Sequence, residues 1–305
     1  MQVQQYEVTS HMDGLGLSAL IATPEKEPVG IVQILHGMAE HKDRYLSLME
    51  CLCEHGYVCV IHDHRGHGDS VRSEEDYGYF YEGGKEALIE DAHQVTRWIK
   101  EKYPQLPLYL IGHSMGSLIA RCYTKKYDAE LSGLILIGSP SNQPLAGVAK
   151  QLCKTLMRVR GGRASGDFYD KVSKGVVGTE EGDLENGWLS YNEENVKTYN
   201  KDKKCGFVFT LNGYYHLYSL MEETYSKKGW QCKNKKLPVF FLSGEDDPYM
   251  GERSDLENAI LAMRKAGYKN TKAKVYPHMK HEILQEEDYE QVHEDILTLL
   301  KRWEV

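Results

Sequence analysis

Residues 108–127 read LYLIGHSMGSLIARCYTKKY, and the order of their parts decides the fold. The apolar run 108–111 ends in Gly112-His113-Ser114-Met115-Gly116, and the helix-compatible stretch 117–127 follows. A bare G-x-S-x-G pentapeptide is common. Set between a strand and a helix it is specific, because that frame forces the serine into a strained turn and needs small residues on both sides. The hydroxyl then stands clear at the end of the strand. There the N-terminal dipole of the helix favours developing negative charge. Ser114 is therefore the expected nucleophile.

Working outward, the same kind of strand recurs. Apolar runs at 31–35, 57–61 and 134–137 end in His36-Gly37, His62-Asp63 and Gly138. Near-continuous apolar runs suit strands buried on both faces of a parallel sheet. Between them, Leu88, Ala92, Val95 and Ile99 fall three or four apart, the spacing of one helix face. Residues 2–10 and 17–22 read as strands joined at the turn-prone Asp13-Gly14. Alternating strands and helices predict a mostly parallel central sheet flanked by helices, an α/β fold.

Past Pro140 the rhythm changes. Val148, Leu152, Leu156 and Val159 make one helical stripe, and Leu211, Tyr215, Tyr218 and Met221 suggest a second helix. A Gly- and charge-rich stretch, 161–187, lies between them. Strand-like runs return at 239–243 and 272–276, followed by an amphipathic helix at 289–303. The expected organisation is a core of residues 1–141 and 231–305, with a helical cap, 142–230, inserted after the sixth strand.

A serine hydroxyl needs a base and a group that orients the base. With this elbow the chain order is serine, acid, histidine. Asp246 and Asp247 follow the strand 239–243, and His278 and His281 follow the strand ending at Tyr276. Position after these strands leaves both choices open. The oxyanion needs two backbone N–H donors. Met115, directly after the serine, supplies one. Met38 supplies the other, where Gly37 lets the chain turn after the strand 31–35.

Bulk properties narrow the setting. With 27% charged and 41% hydrophobic residues the composition is that of a globular protein. A net charge of -8 argues against a nucleic-acid surface. The seven cysteines show no framework spacing. Cys51, Cys53, Cys59 and Cys122 sit in apolar runs and read as buried thiols in a reducing compartment. No basic-then-apolar leader is visible and no apolar run reaches about 18 residues. The expectation is a soluble, cytoplasmic protein.

Four blocks together resemble the monoacylglycerol lipase and lysophospholipase group of serine aminopeptidase-like hydrolases, which have the α/β-hydrolase fold. They are His36-Gly37-Met38-Ala39-Glu40-His41 with Arg44-Tyr45, residues 63–70 (DHRGHGDS), residues 112–116, and His281-Glu282-Ile283-Leu284. Cys205-Gly206-Phe207 is similar to a signature in the family's cap. The resemblance implies Asp247 as the acid and His281 as the base, with no cofactor. It also implies carboxylic ester hydrolysis through an acyl-serine intermediate. Met38 departs from the small or aromatic residue often found there, which bears on pocket shape more than on mechanism.

Other signals carry plainer readings. His62, His64 and His67 lack the further ligands a hydrolytic metal centre needs, and they read as parts of a tight loop. Cys51 and Cys53 have no base or oxyanion site of their own. Glu40 and Arg44, spaced i,i+4, suit a local ion pair that steadies the oxyanion loop. Lys150, Lys154, Arg158, Arg160 and Arg163 read most simply as a solvated helix face; with an apolar face opposite, contact with an anionic lipid surface is the alternative. Tyr214, Tyr215 and Tyr218 offer walls for an acyl pocket.

The substrate expected is a small-molecule acyl ester, a monoacylglycerol or a lysophospholipid. A serine aminopeptidase with the same triad is the alternative, with Glu193, Glu194, Glu222 or Glu223 binding an ammonium group. A short-chain carboxylesterase is another. A non-catalytic binding protein is disfavoured, because all three triad members are present.

Overall fold

The computed structural model describes residues 1–177 and 184–304. Residues 178–183, within the Gly- and charge-rich stretch, lie outside the described residues. An antiparallel hairpin, β1 (Gln2–Thr9) and β2 (Gly16–Thr23), opens the chain. The remaining strands are β3 (Gly30–Leu35), β4 (Tyr57–His62), β5 (Leu108–His113), β6 (Gly133–Ile137), β7 (Val239–Gly244) and β8 (Thr271–Tyr276). They form one eight-stranded sheet in the order β1-β2-β4-β3-β5-β6-β7-β8. β2 meets β4 antiparallel, and every pair beyond it is parallel. This is the α/β-hydrolase fold.

The two-residue period of a strand explains how β3 serves two layers at once. Ile31 and Leu35 face a core built with α2 (Gly84–Lys102) and α3 (Met115–Tyr127). Val32 and Ile34 face the other core, built with α1 (Leu46–Glu54) and α9 (Tyr289–Trp303). α8 (Arg253–Ala266) completes the first layer through Leu256, Ala259 and Met263. The edge hairpin is tied down by a buried cation. Arg65 Nε reaches Asp91 Oδ2 on α2 at 2.8 Å, and its Nη1 reaches Asp13 Oδ2 in the hairpin turn at 2.8 Å.

Between β6 and β7 the chain leaves the sheet to form α4 (Ala146–Arg160), α5 (Asp167–Val177), α6 (Glu193–Lys201) and α7 (Leu211–Tyr225). Two of these, α5 and α6, were not expected from the sequence. Both are short; α6 is polar and starts from a local cap, the Asn192 side chain accepting the Asn195 N–H, while α5 lies inside the Gly- and charge-rich stretch. α4 lies on α7, which in turn lies on α3 and α2. The apolar stripe on α4 is not an inward face. Ala146 and Cys153 are buried, whereas Val148 and Val159 are 67% and 80% exposed. The cysteines are all free, and Cys51 is only half-buried rather than buried. No helix among the described residues is long and apolar enough to cross a membrane.

Behind the ends of β3 and β4 lies a cluster of four fully buried imidazoles, His36, His62, His64 and His67. The His36 and His64 rings are 4.2 Å apart. His36 Nδ1 donates to the Gly37 carbonyl at 2.8 Å, and its Nε2 accepts the His64 backbone N–H at 2.9 Å, so the ring is held neutral. Burial pushes all four below the ordinary histidine range, His62 to about 3 and His67 to about 4. The unfolded chain, with ordinary histidines, therefore binds more protons than the native one below about pH 6.5. Stability should fall steadily as the pH drops through 6 and 5. Urea unfolding measured across that range checks this; a flat profile would contradict a neutral cluster.

Candidate active site

The elbow is built by close backbone approach. Ser114 has φ 51° and ψ -119°, a left-handed conformation that side chains avoid. Its N–H is held by the Ile137 carbonyl at 2.9 Å, and its carbonyl starts α3 by accepting the Ser117 N–H at 2.9 Å. A Cβ on Gly116 would lie 2.1 Å from the Leu35 carbonyl oxygen, and one on Gly112 would lie 2.4 Å from that of Gly116. The two glycines of the pentapeptide are thus steric requirements of the turn.

At the ends of β7 and β8 the two ambiguous pairs separate. Asp247 and His281 are both buried, and His281 Nδ1 donates to Asp247 Oδ1 at 2.9 Å. Asp247 Oδ1 also accepts the Tyr249 N–H at 2.9 Å. Asp246 is exposed and takes the Tyr191 hydroxyl at 3.0 Å, while His278 is exposed in a turn at φ 53°. Burial disfavours the imidazolium of His281, but the Asp247 charge and hydrogen bond outweigh it and raise the pKa above the ordinary histidine value. Burial likewise opposes ionisation of Asp247, and the charge and hydrogen bond of His281 outweigh it and lower the carboxyl.

On the oxyanion loop, the Gly37 N–H is spent on Glu40 Oε1 at 2.5 Å. The N–H groups of Met38 and Met115 have no protein acceptor among the described residues. Ser114, His281, Met38 and Met115 all line one cavity. Its remaining walls include Leu118 of α3, Trp188 and Phe207 of the insertion, and Leu217, Tyr218 and Met221 of α7. Tyr214 lines it too, whereas Tyr215 packs against the core instead. None of Glu193, Glu194, Glu222 and Glu223 lines the cavity. Glu193 pairs with Lys197, Glu222 with Lys150, and Glu223 with Lys85.

Beneath the cavity runs an ionic network that the sequence shows only in part. Arg44 pairs with Glu40 at 2.8 Å, the local pair expected from the spacing. It also grips Glu282, 238 positions away, through two bonds of 2.5 and 2.8 Å. Asn195 of α6 joins both partners, accepting from Arg44 at 3.0 Å and donating to Glu282 at 2.8 Å. Glu40 takes the Tyr45 hydroxyl at 2.8 Å, and His113 Nδ1 lies 3.1 Å away. Three pieces of chain thereby meet at one guanidinium, the candidate oxyanion loop, the histidine loop and the insertion, and the elbow joins them through Glu40. The one advance signal was that Glu282 directly follows His281.

The comparisons with known proteins come down on this same frame. Residues 26–288 match the model of the serine aminopeptidase S33 family of hydrolases. The chain belongs to this family. A monoglyceride lipase of Rattus norvegicus is 26% identical over 296 residues, 92% of this chain and 86% of the relative. A probable lysophospholipase L2 of Haemophilus influenzae is 23% identical, covering 87% of this chain and 81% of its own. The crystal structure of a thermostable carboxyl esterase from Bacillus coagulans, in complex with glycerol, superposes with a TM-score of 0.91. It is 29% identical, and each chain is covered in full.

The network makes a prediction. Burial opposes the charge on Glu282 and Glu40, but Arg44, His113, Tyr45 and Asn195 overrule it, and both carboxyls are held below the ordinary value. Their stabilisation is present above about pH 4.3 and is lost as the pH falls below it. Arg44→Met leaves two buried carboxylates without their cation and should cost about 3–5 kcal/mol at pH 7. The gap to the wild type should narrow near pH 4, as urea denaturation at the two pH values would register.

Proposed function

We propose that this chain cleaves carboxylic esters of single-chain acyl lipids, monoacylglycerols or lysophospholipids, through an acyl-serine intermediate. The broader class, a carboxylic ester hydrolase, follows from the family and from the lipase and esterase relatives. The hydrogen bond between His281 and Asp247, at the cavity that Ser114 also lines, supports the acyl-serine mechanism, and the apolar and aromatic wall of that cavity carries the acyl-lipid reading.

Ser114 Oγ attacks the ester carbonyl. His281 takes the proton on Nε2, the nitrogen turned away from Asp247, and delivers it to the departing alcohol. Asp247 fixes the tautomer and steadies the imidazolium. The Met38 and Met115 N–H groups hold the oxyanion, so their side chains matter less than their backbone. Water then attacks the acyl-serine, with His281 again as base. The apolar and aromatic wall from Leu118 to Met221 is suited to an acyl chain and to excluding water. No step calls for a cofactor.

The exposed face of the insertion supports a lipid surface as the place where substrate is met. Leu145, Val148, Leu152 and Val159 stand out beside α4, and Phe168 and Val172 stand out on α5. Lys154, Arg158 and Arg160 are exposed along the same helix, whereas Lys150 and Arg163 are engaged by Glu222 and Asp76. An apolar arc rimmed by cations without a partner among the described residues fits an anionic interface.

Ser114→Ala should lose fluorophosphonate labelling and about 10⁴-fold or more of kcat. In a panel of monoglycerides, lysophospholipids, short esters and aminoacyl p-nitroanilides, the single-chain lipids should turn over best. Strong anilide turnover with negligible ester turnover would reject the reading in favour of an aminopeptidase.

The acid limb of kcat/KM should lie above about 6.5, because the base must be neutral and Asp247 raises its pKa. Asp247→Asn should move that limb down and cut kcat by roughly 10⁴-fold. Lys154→Glu with Arg158→Glu should weaken binding to anionic vesicles about tenfold or more. Unchanged binding in a sedimentation assay would remove the interfacial role.

A further inference from the structure

We propose that His41, Asp202 and Cys205 form a binding site for one borderline-soft divalent cation, of which zinc is the leading candidate, at the foot of the oxyanion loop. The three residues are far apart in sequence, and no motif spacing announces them. In the fold, one ligand atom from each lies within 4.8 Å of the other two. Imidazole, carboxylate and thiolate together are a ligand set that zinc accepts, and three protein ligands leave a fourth position for water.

The geometry resembles a metal site in its outer contacts as well. His41 Nε2 is 2.9 Å from Asp202 Oδ2, and its other nitrogen, Nδ1, is 3.1 Å from Asp43 Oδ2. With a cation taking the place of the proton between Nε2 and Asp202, Asp43 becomes the carboxylate that orients a ligating histidine from behind. His41 and Cys205 are buried, while the Asp202 side chain is 36% exposed and opens an access path. The nearby cations are already engaged. Arg44 serves Glu40 and Glu282, Lys42 serves Asp63, and Lys204 serves Asp69. Tetrahedral zinc holds its ligand atoms roughly 3.3–3.8 Å apart, so occupancy spreads the His41–Asp202 pair from its 2.9 Å and draws the Cys205 sulfur in toward them.

The imidazoles at positions 36, 62, 64 and 67 show no such arrangement. Their rings lie against one another and against backbone, and none is grouped with a carboxylate or thiol within ligating distance among the described residues.

Rearrangement at this site has a mechanical consequence. The Ala39 carbonyl accepts the Gly206 N–H at 2.9 Å and the Tyr199 hydroxyl at 3.0 Å. Cys205 directly precedes Gly206, and His41 stands two residues beyond Ala39. A bound cation therefore pulls on both attachments of the loop that carries Met38. Resting on the proposed role of Met38, occupancy slows ester hydrolysis; binding itself does not depend on that role.

The test is a titration of the purified chain with Co²⁺ and then Zn²⁺, read by optical absorption and calorimetry without substrate. One equivalent of Co²⁺ should give a thiolate-to-metal charge-transfer band that Zn²⁺ displaces. Cys205→Ser should abolish the band and weaken Zn²⁺ by 100-fold or more. Asp43→Asn should keep the band and weaken binding about 10- to 100-fold. Zn²⁺ should also raise the thermal midpoint of the wild type but not of Cys205→Ser or Asp202→Asn, two variants that guard against a folding defect in either. No band, or equal affinity in wild type and Cys205→Ser, overturns the site. Saturating Zn²⁺ should lower ester turnover in the wild type; full turnover by a chain that displays the band overturns the coupling to Met38 and not the hydrolase reading.

Discussion

A mostly buried guanidinium holds the loops around the candidate site together. The Arg44 side chain is 11% exposed, and an unpaired charge there would cost several kcal/mol. It is tolerable only because Glu40, Glu282 and Asn195 surround it with charge-assisted bonds. Each partner sits beside something functional. Glu40 closes the turn that carries Met38, Glu282 follows His281, and Asn195 lies in the first turn of α6. A shift in any one of these unbalances a buried charge, so the ends of β3, β5 and β8 and the insertion keep one mutual geometry. Buried ion pairs are weak sources of net stability, and here the gain is better described as registry.

The strain at Ser114 is sustained in the same way. A left-handed serine costs on the order of 1–3 kcal/mol. It persists because β5 and β6 hold both ends of the turn and because Gly112 and Gly116 allow backbones to touch where side chains could not. The local rule about φ is broken at the candidate nucleophile, and the surrounding sheet absorbs the cost.

The sheet was legible because strands buried on both faces have few residue types to choose from. Ile31–Leu35 and Leu134–Ile137 could hardly be anything else. The elbow was legible because its steric demands leave a sequence trace. The insertion was legible only as helical. The periodicity of Val148, Leu152 and Val159 shows that they share a face but not what that face meets, and most of it meets solvent. α6 is short and polar, and its place depends on contacts with Glu282 and Ala39 from distant parts of the chain. The choice between Asp246 and Asp247 turns on one residue of strand exit, which spacing cannot resolve and burial can.

The insertion departs from β6 and returns on β7, strands that lie side by side and parallel in the sheet. Its two roots are therefore fixed by the core, whatever the segment between them does. Tethers to the oxyanion and histidine loops come from Leu189, Ser190, Asn195, Tyr199 and Gly206. α4 and α5 make none of these. The chain is thus modular in an uneven way: one half of its cover can be redrawn by ordinary drift in length and sequence, while the other half is bound to the chemistry. A lineage built on this plan can change what it admits long before it changes what it does.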